Sequence, residues 1–310
     1  MAAGDFSNVE IEIRQQIDRW VASLEAEANH VSAKRDAALG LRSLTRKSSL
    51  NREYIATKGA IPAIVSVLRD STDPETKKHA VTLLLNLSIH PNVKDEIMAA
   101  GALDPIVQVL KYGDCEARAN AAAALFSLST KTTTNKALIG SSTDAIPALV
   151  KLLTEGTTRG KKDAASAIFD LAICHENKAI AVRAGVIPPL VDLLLDEKQG
   201  IVDEALATLA ILATHVEGQA EIGRVGALPL LIDIISESSP QNKENAAAIL
   251  LELCCSDPNN TYMSAKLGVC GPLGELCSTG TSKARRKARK LLDLQRHAQH
   301  RHGHFGARSF

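Results

Sequence analysis

A pattern of hydrophobic positions recurs six times along the chain. Each copy is a ten-residue phrase with apolar residues at spacings i, i+3, i+4 and i+7, as in Ile61, Ile64, Val65 and Leu68. This spacing places the apolar side chains on one face of an α-helix. The copies start 42, 43, 41, 41 and 42 residues apart, at Gly59, Gly101, Asp144, Gly185, Gly226 and Gly268. A period of about 40–47 residues is typical of solenoids built from helical repeats.

The phrase also carries a glycine and a proline at fixed places. A glycine opens five of the six copies, and it suits the end of a helix because a left-handed backbone costs little only for glycine. A proline follows within three or four residues, where the first turn of a new helix tolerates its missing N–H. We therefore predict that one helix ends before each phrase and that a second helix begins inside it.

Two further helical patterns flank each phrase. A short first segment begins near a pair such as Asn135-Lys136. A longer third segment is rich in Ala and Leu at helical spacing, for example Ala121, Leu125 and Leu128. Small Ala side chains allow neighbouring helices to approach closely. No β-strand pattern is visible, so the sequence predicts an all-α chain whose third helices line a concave face.

The two ends of the sequence depart from the repeat. Residues 9–24 hold an amphipathic pattern that suits a partial first repeat, and the segment from Lys283 keeps its leucines but gains six Lys/Arg, as a capping helix needs. The predicted organisation is a partial repeat, five full repeats, a capping repeat and a disordered basic, His-rich tail. Their boundaries are 1–47; 48–89, 90–131, 132–173, 174–213 and 214–255; 256–295; and 296–310.

Composition narrows the class of protein. The chain has 310 residues and a formal net charge of +1, and the periodicity covers most of it, so one elongated domain is expected. No apolar run reaches the roughly 18 residues of a membrane-spanning helix, and the N-terminus lacks the regions of a secretory signal. The six cysteines show no framework spacing, which favours a reduced compartment. We expect a cytoplasmic or nuclear protein.

The wording of the repeats resembles a known family. The phrases ARANAAAALFSLS from Ala117, VDEALATLAILATH from Val202 and NKENAAAILLELCCSDP from Asn242 are similar to the repeat region of plant U-box armadillo ubiquitin ligases. The likeness runs from about Ala37 to Leu294. It implies a right-handed armadillo-repeat superhelical solenoid that binds other proteins, with receptor-like kinases and ubiquitination substrates as typical partners of the family.

The ligases of that family carry a U-box ahead of the repeats, which recruits the ubiquitin-conjugating enzyme. Only eight residues precede the helical pattern that begins at Val9, so we expect the U-box to be absent. The resemblance then implies a non-enzymatic protein that binds partners in ubiquitin-linked defence or hormone signalling. The alternative is a fragment, isoform or degenerate copy of such a ligase that takes part in ubiquitination.

A third hypothesis, an adaptor for nuclear transport or for nucleic acid, is disfavoured. Nuclear-import armadillo adaptors hold a Trp and, four residues on, an Asn in successive third helices. The equivalent Asn positions here are occupied by Asn86, Ser127, Asp170, Ile211 and Glu252. Aromatic residues make up 3% of the chain, which leaves few platforms for stacking nucleobases.

Three local patterns could carry chemistry, but structural roles explain them better. The loop from Gly156 to Lys162 is one residue short of a phosphate-binding loop and lies between two helices. The histidines near the C-terminus lack a scaffold, and the cysteines lack the paired spacing of a zinc site. No nucleophile, base or paired-carboxylate constellation is apparent. We therefore predict no catalytic residue, no metal, no cofactor and no small-molecule substrate.

Cations recur near the start of successive third helices. Stacking of the repeats would align these cations along one edge of the groove. The competing interpretation is that they are simply solvated residues at helix ends. A positive charge at a helix N-terminus opposes the helix dipole, so its recurrence needs a reason. The predicted groove has an edge of Lys78, Arg118, Lys162 and Lys243 and a floor of Asn86, Ser127, Asp170 and Glu252. Such a surface favours an acidic or phosphorylated segment of a protein partner, bound by a monomeric chain without membrane insertion.

The expected absence of a U-box predicts that the purified chain has no ubiquitin-ligase activity of its own. The measurement is chain formation after mixing it with activating enzyme, a panel of conjugating enzymes and ubiquitin. Ubiquitin chains that form above background only when this protein is present would contradict the prediction.

Overall fold

The computed structural model describes residues 3–26, 30–195 and 200–306, with side chains described from residue 8 to residue 297 within these ranges. Every regular element in this part of the chain is an α-helix, and the helices number twenty. The chain divides into two compact units, Met1–Leu171 and Ala172–Phe310. Each repeat of a solenoid contacts chiefly its neighbours, so a turn between two repeats is where such a chain divides.

The first unit contains eleven described helices. They are α1 (Ala3–Glu25), α2 (Val31–Lys47), α3 (Ser49–Thr57), α4 (Ala60–Asp70), α5 (Pro74–Ser88), α6 (Val93–Ala99), α7 (Leu103–Tyr112), α8 (Cys115–Ser129), α9 (Thr133–Ser141), α10 (Ala145–Glu155) and α11 (Thr158–Leu171). After the pair α1 and α2, the helices come in groups of three: a short first helix, an apolar second helix and a long third helix.

The second unit contains nine described helices. They are α12 (His175–Arg183), α13 (Ile187–Leu195), α14 (Val202–Leu212), α15 (Val216–Arg224), α16 (Leu228–Glu237), α17 (Pro240–Ser256), α18 (Pro258–Lys266), α19 (Cys270–Thr279) and α20 (Ser282–Gly306). They form three more groups of first, second and third helices.

Side-chain caps fix where the third helices begin. The carboxylate of Asp73 accepts a hydrogen bond from the backbone N–H of Thr76 at 3.0 Å, and that of Asp114 accepts one from Ala117 at 2.7 Å. The hydroxyl of Ser239 does the same for Asn242 at the start of α17. Each cap satisfies a backbone donor that the helix leaves unpaired, which is worth about 1 kcal/mol.

The glycine that opens each phrase has the predicted backbone conformation. Gly59 joins α3 to α4 with a φ of 70°, and four of the other phrase glycines are also left-handed, with φ between 73° and 81°. Asp144 opens the remaining copy with a φ of −105°. The backbone of Asp144 is therefore not in the left-handed conformation that would be strained for a residue other than glycine. Its carboxylate pairs with the ammonium of Lys111 at 2.7 Å.

The asparagines near the start of the first helices have a structural role. The side-chain amides of Asn51, Asn135 and Asn260 donate to the carbonyl oxygen seven residues earlier, at 3.4, 3.1 and 3.1 Å. In each case that carbonyl lies in the last turn of the preceding third helix. Carbonyls at a helix end have no partner within the helix. The recurring Asn therefore fastens each first helix to the helix before it.

The core of each unit lies between second and third helices. In α4, Ile61, Ile64 and Leu68 are fully buried, as the repeating apolar pattern predicted. Third helices also pack on one another, and α2 takes the place of a third helix ahead of α5: the packed pairs are α2 on α5, α5 on α8, α8 on α11, α14 on α17 and α17 on α20. In α1, Trp20 packs against Gly40 of α2 so closely that a Cβ atom there would lie 2.4 Å from the indole ring.

The C-terminal segment differs from the sequence prediction. We expected a disordered tail from residue 296, but α20 continues to Gly306, and residues 307–310 lie outside the described residues. Packing explains the difference: Leu291 is fully buried, and the buried amide of Gln295 donates to the hydroxyl of Ser264 at 2.8 Å. A helix nucleated by such contacts extends cheaply, because each added residue gains a backbone hydrogen bond.

Membrane insertion can be addressed from the same helices. Within the described ranges, none of them combines the length and the hydrophobicity that a membrane-spanning segment requires.

The packing of α20 generates a stability prediction. Replacing the buried Leu291 by Ala should lower the free energy of unfolding by about 2–5 kcal/mol, because a cavity is left among α17, α18 and α19. The matched control is Arg289→Ala, since Arg289 lies on the exposed side of the same helix. Urea denaturation followed by circular dichroism measures the free energy of unfolding of both variants. An equal decrease in the two variants would show that α20 does not cover the core.

Candidate partner-binding surface

The third helices of the first unit share one solvent-facing side, which we name the open face. In the second half of α8 the partly exposed residues are Ala123, Phe126 and Ser127, whereas Ala124 and Leu125 between them are buried. The equivalent positions of α5 and α11 lie on the same side because the three helices pack side by side in sequence. The open face therefore crosses α5, α8 and α11.

The predicted floor residues of this unit bond to the preceding repeat. The amide of Asn86 donates to the hydroxyl of Thr45 at 3.1 Å and to the carbonyl of Arg42 at 3.4 Å. The hydroxyl of Ser127 accepts from that of Ser88 at 2.8 Å and donates to the carbonyl of the same residue at 3.1 Å. These contacts form a polar ladder between third helices. Both side chains are half-buried and already engaged within the protein.

Asp170 continues the ladder but is not on the surface. Only 8% of the residue is exposed, and its carboxylate accepts from the hydroxyl of Ser129 at 2.5 Å. It also pairs with the buried ammonium of Lys136, which in turn donates to the carbonyl of Ser129 at 2.8 Å. Asp170 therefore lies in the interior, and its role in binding a partner stays a prediction. A buried carboxylate is tolerated here because a cation and a hydroxyl satisfy it.

The predicted edge cations of the first unit have internal partners. The ammonium of Lys78 lies 2.6 Å from Glu75 and 3.2 Å from Asp114, and the hydrogen bond to Glu75 is the main cause of its raised pKa. The guanidinium of Arg118 donates to the carbonyl of Leu110 at 3.2 Å. Lys162 has an exposed side chain on the open face.

The position of Arg118 explains why cations recur where the helix dipole disfavours them. Leu110 lies in the last turn of α7, so the guanidinium sits at the negative end of the second helix as well as near the start of the third. Lys243 repeats this contact in the second unit, where its ammonium donates to the carbonyl of Ser236 in α16 at 2.6 Å. A cation at a helix C-terminus is stabilising.

Glu252, the last predicted floor residue, belongs to α17 in the second unit. It is half-buried and lines a cavity of about 400 Å³ between α17 and α20, together with Cys255 and Lys290. Asn86, Ser127 and Asp170 thus form one ladder in the first unit, whereas Glu252 lies in a different setting.

Sequence reasoning missed an apolar row on the open face. Leu85, Phe126 and Phe169 occupy equivalent positions, each one residue before a member of the polar ladder. Leu85 and Phe126 are half-buried, and Phe169, at 36% exposed, is the most exposed of the three. The available signal was their phase, since Phe126 falls outside the buried stripe that contains Leu125 and Leu128. Single exposed apolar residues are common, but a row of three on adjoining helices is the kind of apolar patch that marks an interaction site.

A row of small residues lies one helical turn before the apolar row. It consists of Thr82, Ala123 and Ser166, and we name this row of short side chains the trough. Hydrogen bonds hold the neighbouring polar groups in place: Asn120 donates to the hydroxyl of Thr82 at 2.8 Å and accepts from Arg159 at 2.7 Å. The three helices of the open face are therefore tied together on both sides of the apolar row.

The segment from Gly156 to Lys162 and the histidines and cysteines were predicted to have structural roles rather than catalytic or metal-binding ones. In the Gly156 to Lys162 loop, the hydroxyl of Thr157 caps α11 by accepting from the N–H of Gly160 at 3.2 Å. Only Gly156 and Thr157 connect α10 to α11, and the rest of the segment that the sequence predicted as a loop forms the start of α11. Across the described residues, no group of three or more His, Cys, Asp or Glu side chains is arranged to hold a metal ion.

The fold matches that of armadillo-repeat proteins. An engineered protein of known structure superimposes with a TM-score of 0.79 at 24% identity, over 90% of this chain and 68% of that one. A designed armadillo repeat protein gives a TM-score of 0.67 at 26% identity, over 76% of this chain and 98% of its own. The chain is thus an all-α armadillo-repeat solenoid, as the sequence predicted.

The family can be stated more narrowly. The model of the plant U-box protein ARM repeat region matches residues 12–303, so the chain belongs to that family. It is 48% identical to U-box domain-containing protein 12 of Arabidopsis thaliana over 84% of this chain, and 37% identical to U-box domain-containing protein 17 of the same plant over 82%. The chain spans only 40% and 35% of the length of these two relatives.

The buried pair between Lys136 and Asp170 generates a prediction. Asp170→Ala should lower the free energy of unfolding by roughly 3–5 kcal/mol, because it leaves an ammonium buried without its carboxylate. Replacing both residues, as Lys136→Met with Asp170→Leu, should recover most of the loss. Urea denaturation of the two variants tests this.

The control for that measurement is the exposed ion pair between Arg183 and Glu217, whose atoms lie 2.5 Å apart. Arg183→Ala should leave the free energy of unfolding unchanged, because exposed ion pairs contribute little to stability. A double variant as unstable as Asp170→Ala alone would contradict the interpretation of the ladder.

Proposed function

We propose that this chain binds segments of partner proteins on the open face of α5, α8 and α11. The observation that carries the proposal is the row of Leu85, Phe126 and Phe169, which leaves apolar surface in water on helices that otherwise bury theirs. Covering that surface is favourable, at about 25 cal/mol per Å² of apolar area. A solved relative in fold is titled as a designed armadillo repeat protein for modular peptide recognition, at 25% identity and a TM-score of 0.67.

The binding role fits into ubiquitin-linked signalling in plants. The relatives are plant U-box proteins, and the family match covers the repeats alone. In this proposal the chain is non-enzymatic, acts as a monomer in the cytoplasm or nucleus, and selects kinases or ubiquitination substrates of a defence or hormone response. Its role is to hold a partner, since a repeat surface presents shape and charge rather than reacting groups.

A second candidate is that the same surface works as the substrate-binding part of a U-box ubiquitin ligase. The observation that favours it is the length of the relatives, which extend well beyond the region that this chain matches. The genomic sequence upstream of this chain separates the two candidates, since a U-box encoded there in the same reading frame is expected only for the ligase.

The charges of the open face refine the partner. Lys78 and Arg118 are engaged with acidic groups or carbonyls, so they attract an acidic segment less than the sequence suggested. Lys162 and the 60% exposed Arg159 lie beside the row on α11. An acidic or phosphorylated residue of a partner would therefore approach α11, where guanidinium and ammonium groups pair with phosphate oxygens.

The test is peptide selection followed by blocking of the trough. Random peptides displayed on phage are selected against the chain, and the affinity of the recovered peptides is measured by fluorescence polarisation. Ala123→Glu with Ser166→Glu fills the trough with two charged side chains and should weaken binding by about tenfold or more, a change of about 1.4 kcal/mol.

The matched control carries the same charge change away from the open face. Leu138 and Thr143 are exposed on and after α9, so Leu138→Glu with Thr143→Glu should leave affinity unchanged. Melting temperatures of both variants verify folding. If the two double variants lose binding equally, or neither loses it, the open face is not the binding surface.

A further inference from the structure

A cavity in the first unit lies where two neighbouring repeats meet, between α4 and α5 of one repeat and α7 and α8 of the next. Its volume is about 640 Å³, and we name it the junction groove. The lining includes Leu68, Arg69, Pro74, Lys77, Val109 and Tyr112. We propose that this groove binds a segment of a partner protein in which an aromatic residue is followed by acidic residues. This is a second binding site, independent of the open face.

The size and the apolar lining of the junction groove suit an aromatic side chain. Ligand sites commonly measure roughly 300–1,000 Å³ and are mostly apolar. Leu68, Val109 and Ala117 line the groove although each is almost fully buried, so apolar atoms close its base. Pro74 and the 74% exposed Tyr112 add apolar surface that faces water. A ring that enters the groove is stabilised by apolar contact and by packing against the Tyr112 ring.

Two cations that line the junction groove have no partner within the protein. Arg69 is exposed in the last turn of α4, and Lys77 is half-buried near the start of α5, so they bracket the turn between these helices. Neither side chain forms a hydrogen bond or an ion pair with another described residue. Carboxylates that reach these cations would form charge-assisted hydrogen bonds, which are about twice as strong as neutral ones.

The unpaired state of Lys77 departs from the pattern of the other repeats. Arg118 and Lys243 occupy the equivalent place in their third helices, and each donates to a carbonyl in the last turn of the preceding second helix. Among the described residues, Lys77 has no such bond to α4. The last turn of α4 instead carries Arg69, which complements the helix dipole. The ammonium of Lys77 is therefore available to a ligand.

The acidic residues that line the groove do not cancel this charge. The carboxylate of Asp114 accepts from the N–H of Ala117 and from Lys78, and the first of these bonds is the main cause of its lowered pKa. Asp104 is exposed in the first turn of α7, where a carboxylate complements the helix dipole. Two unpaired cations and the one unpaired carboxylate of Asp104 thus line the described groove, and this balance favours an anionic ligand.

The shape of the surface favours a stretch of chain over a compact molecule. A second cavity of about 520 Å³ lies between α7 and α9 and shares Asp104 and Gln108 with the junction groove. It continues to Ser141 and Ser142 at the end of α9. The two cavities form one depression that crosses α7, so a peptide segment can lie along it beyond the aromatic and acidic residues.

The experiment compares three fluorescently labelled eight-residue peptides with the full chain. The first is Gly-Ser-Gly-Phe-Glu-Asp-Gly-Ser, the second has Ser in place of Phe, and the third has Gln and Asn in place of Glu and Asp. Fluorescence polarisation measures each affinity. The first peptide should bind about tenfold more tightly than either of the others, a difference of about 1.4 kcal/mol. Its affinity should fall as salt is added, because salt screens exposed cations.

Variants of the chain locate that binding. Arg69→Gln with Lys77→Gln should weaken binding of the first peptide by about tenfold. The matched control, Arg159→Gln with Lys162→Gln, removes one Arg and one Lys from the open face and should leave the affinity unchanged. Asp104→Asn removes the unpaired carboxylate and should tighten binding by about two- to threefold, because single exposed charges contribute little. Melting temperatures verify that each variant is folded.

The outcomes separate this inference from the proposed function. Equal binding of the three peptides, unchanged affinity without Arg69 and Lys77, or weaker binding by Asp104→Asn overturns the junction groove. If the Arg159 and Lys162 variant loses the peptide instead, the acidic segment binds the open face, so the junction groove is wrong and the proposed function stands. If phage-selected peptides ignore the Glu substitutions in the trough while the acidic peptide depends on Arg69 and Lys77, the proposed function fails and the junction groove stands.

Discussion

Direct packing between neighbouring third helices is the contact on which the rest of each unit depends. Alanines such as Ala121 and Ala164 are fully buried on these helices, and their small side chains let the helices approach closely. Because the helices lie so near to each other, short polar side chains can reach from one to the next. The ladder that joins Asn86 to Thr45 and Ser127 to Ser88 exists only at this separation.

The same packing determines what the open face can offer a partner. Polar groups that look free in the sequence are satisfied by the adjacent repeat, and Asp170 is drawn into the interior by Lys136. Leucine and phenylalanine at the neighbouring position cannot turn inward, because the core stripe is already filled by residues such as Leu125 and Leu128. Close packing leaves no room for a second large side chain. An apolar row beside an occupied ladder is the result.

The positions of the cations also depend on packing between neighbouring helices. A cation near the start of a third helix is unfavourable for that helix but favourable for the end of the second helix beside it. Arg118 and Lys243 each donate to a carbonyl in the last turn of a second helix, so a repeating set of cations fastens consecutive helices within a repeat. In the first unit, Lys162 and Arg159 on α11 have exposed side chains, although Arg159 also donates to Asn120 and lies 3.5 Å from Asp163.

The sequence by itself determined the helices, because glycine, proline and apolar spacing act within one turn of the chain. It predicted the left-handed Gly59, the second helix that follows and the buried Ile61, and its wording identified the family. It did not determine the state of Asp170, the partners of Arg118 or the length of α20. These depend on atoms some 34–41 residues away, or on a neighbouring helix such as the one that bears Ser264. Only the packed structure decides which polar groups meet, because burial and hydrogen bonding depend on distance in space rather than along the chain.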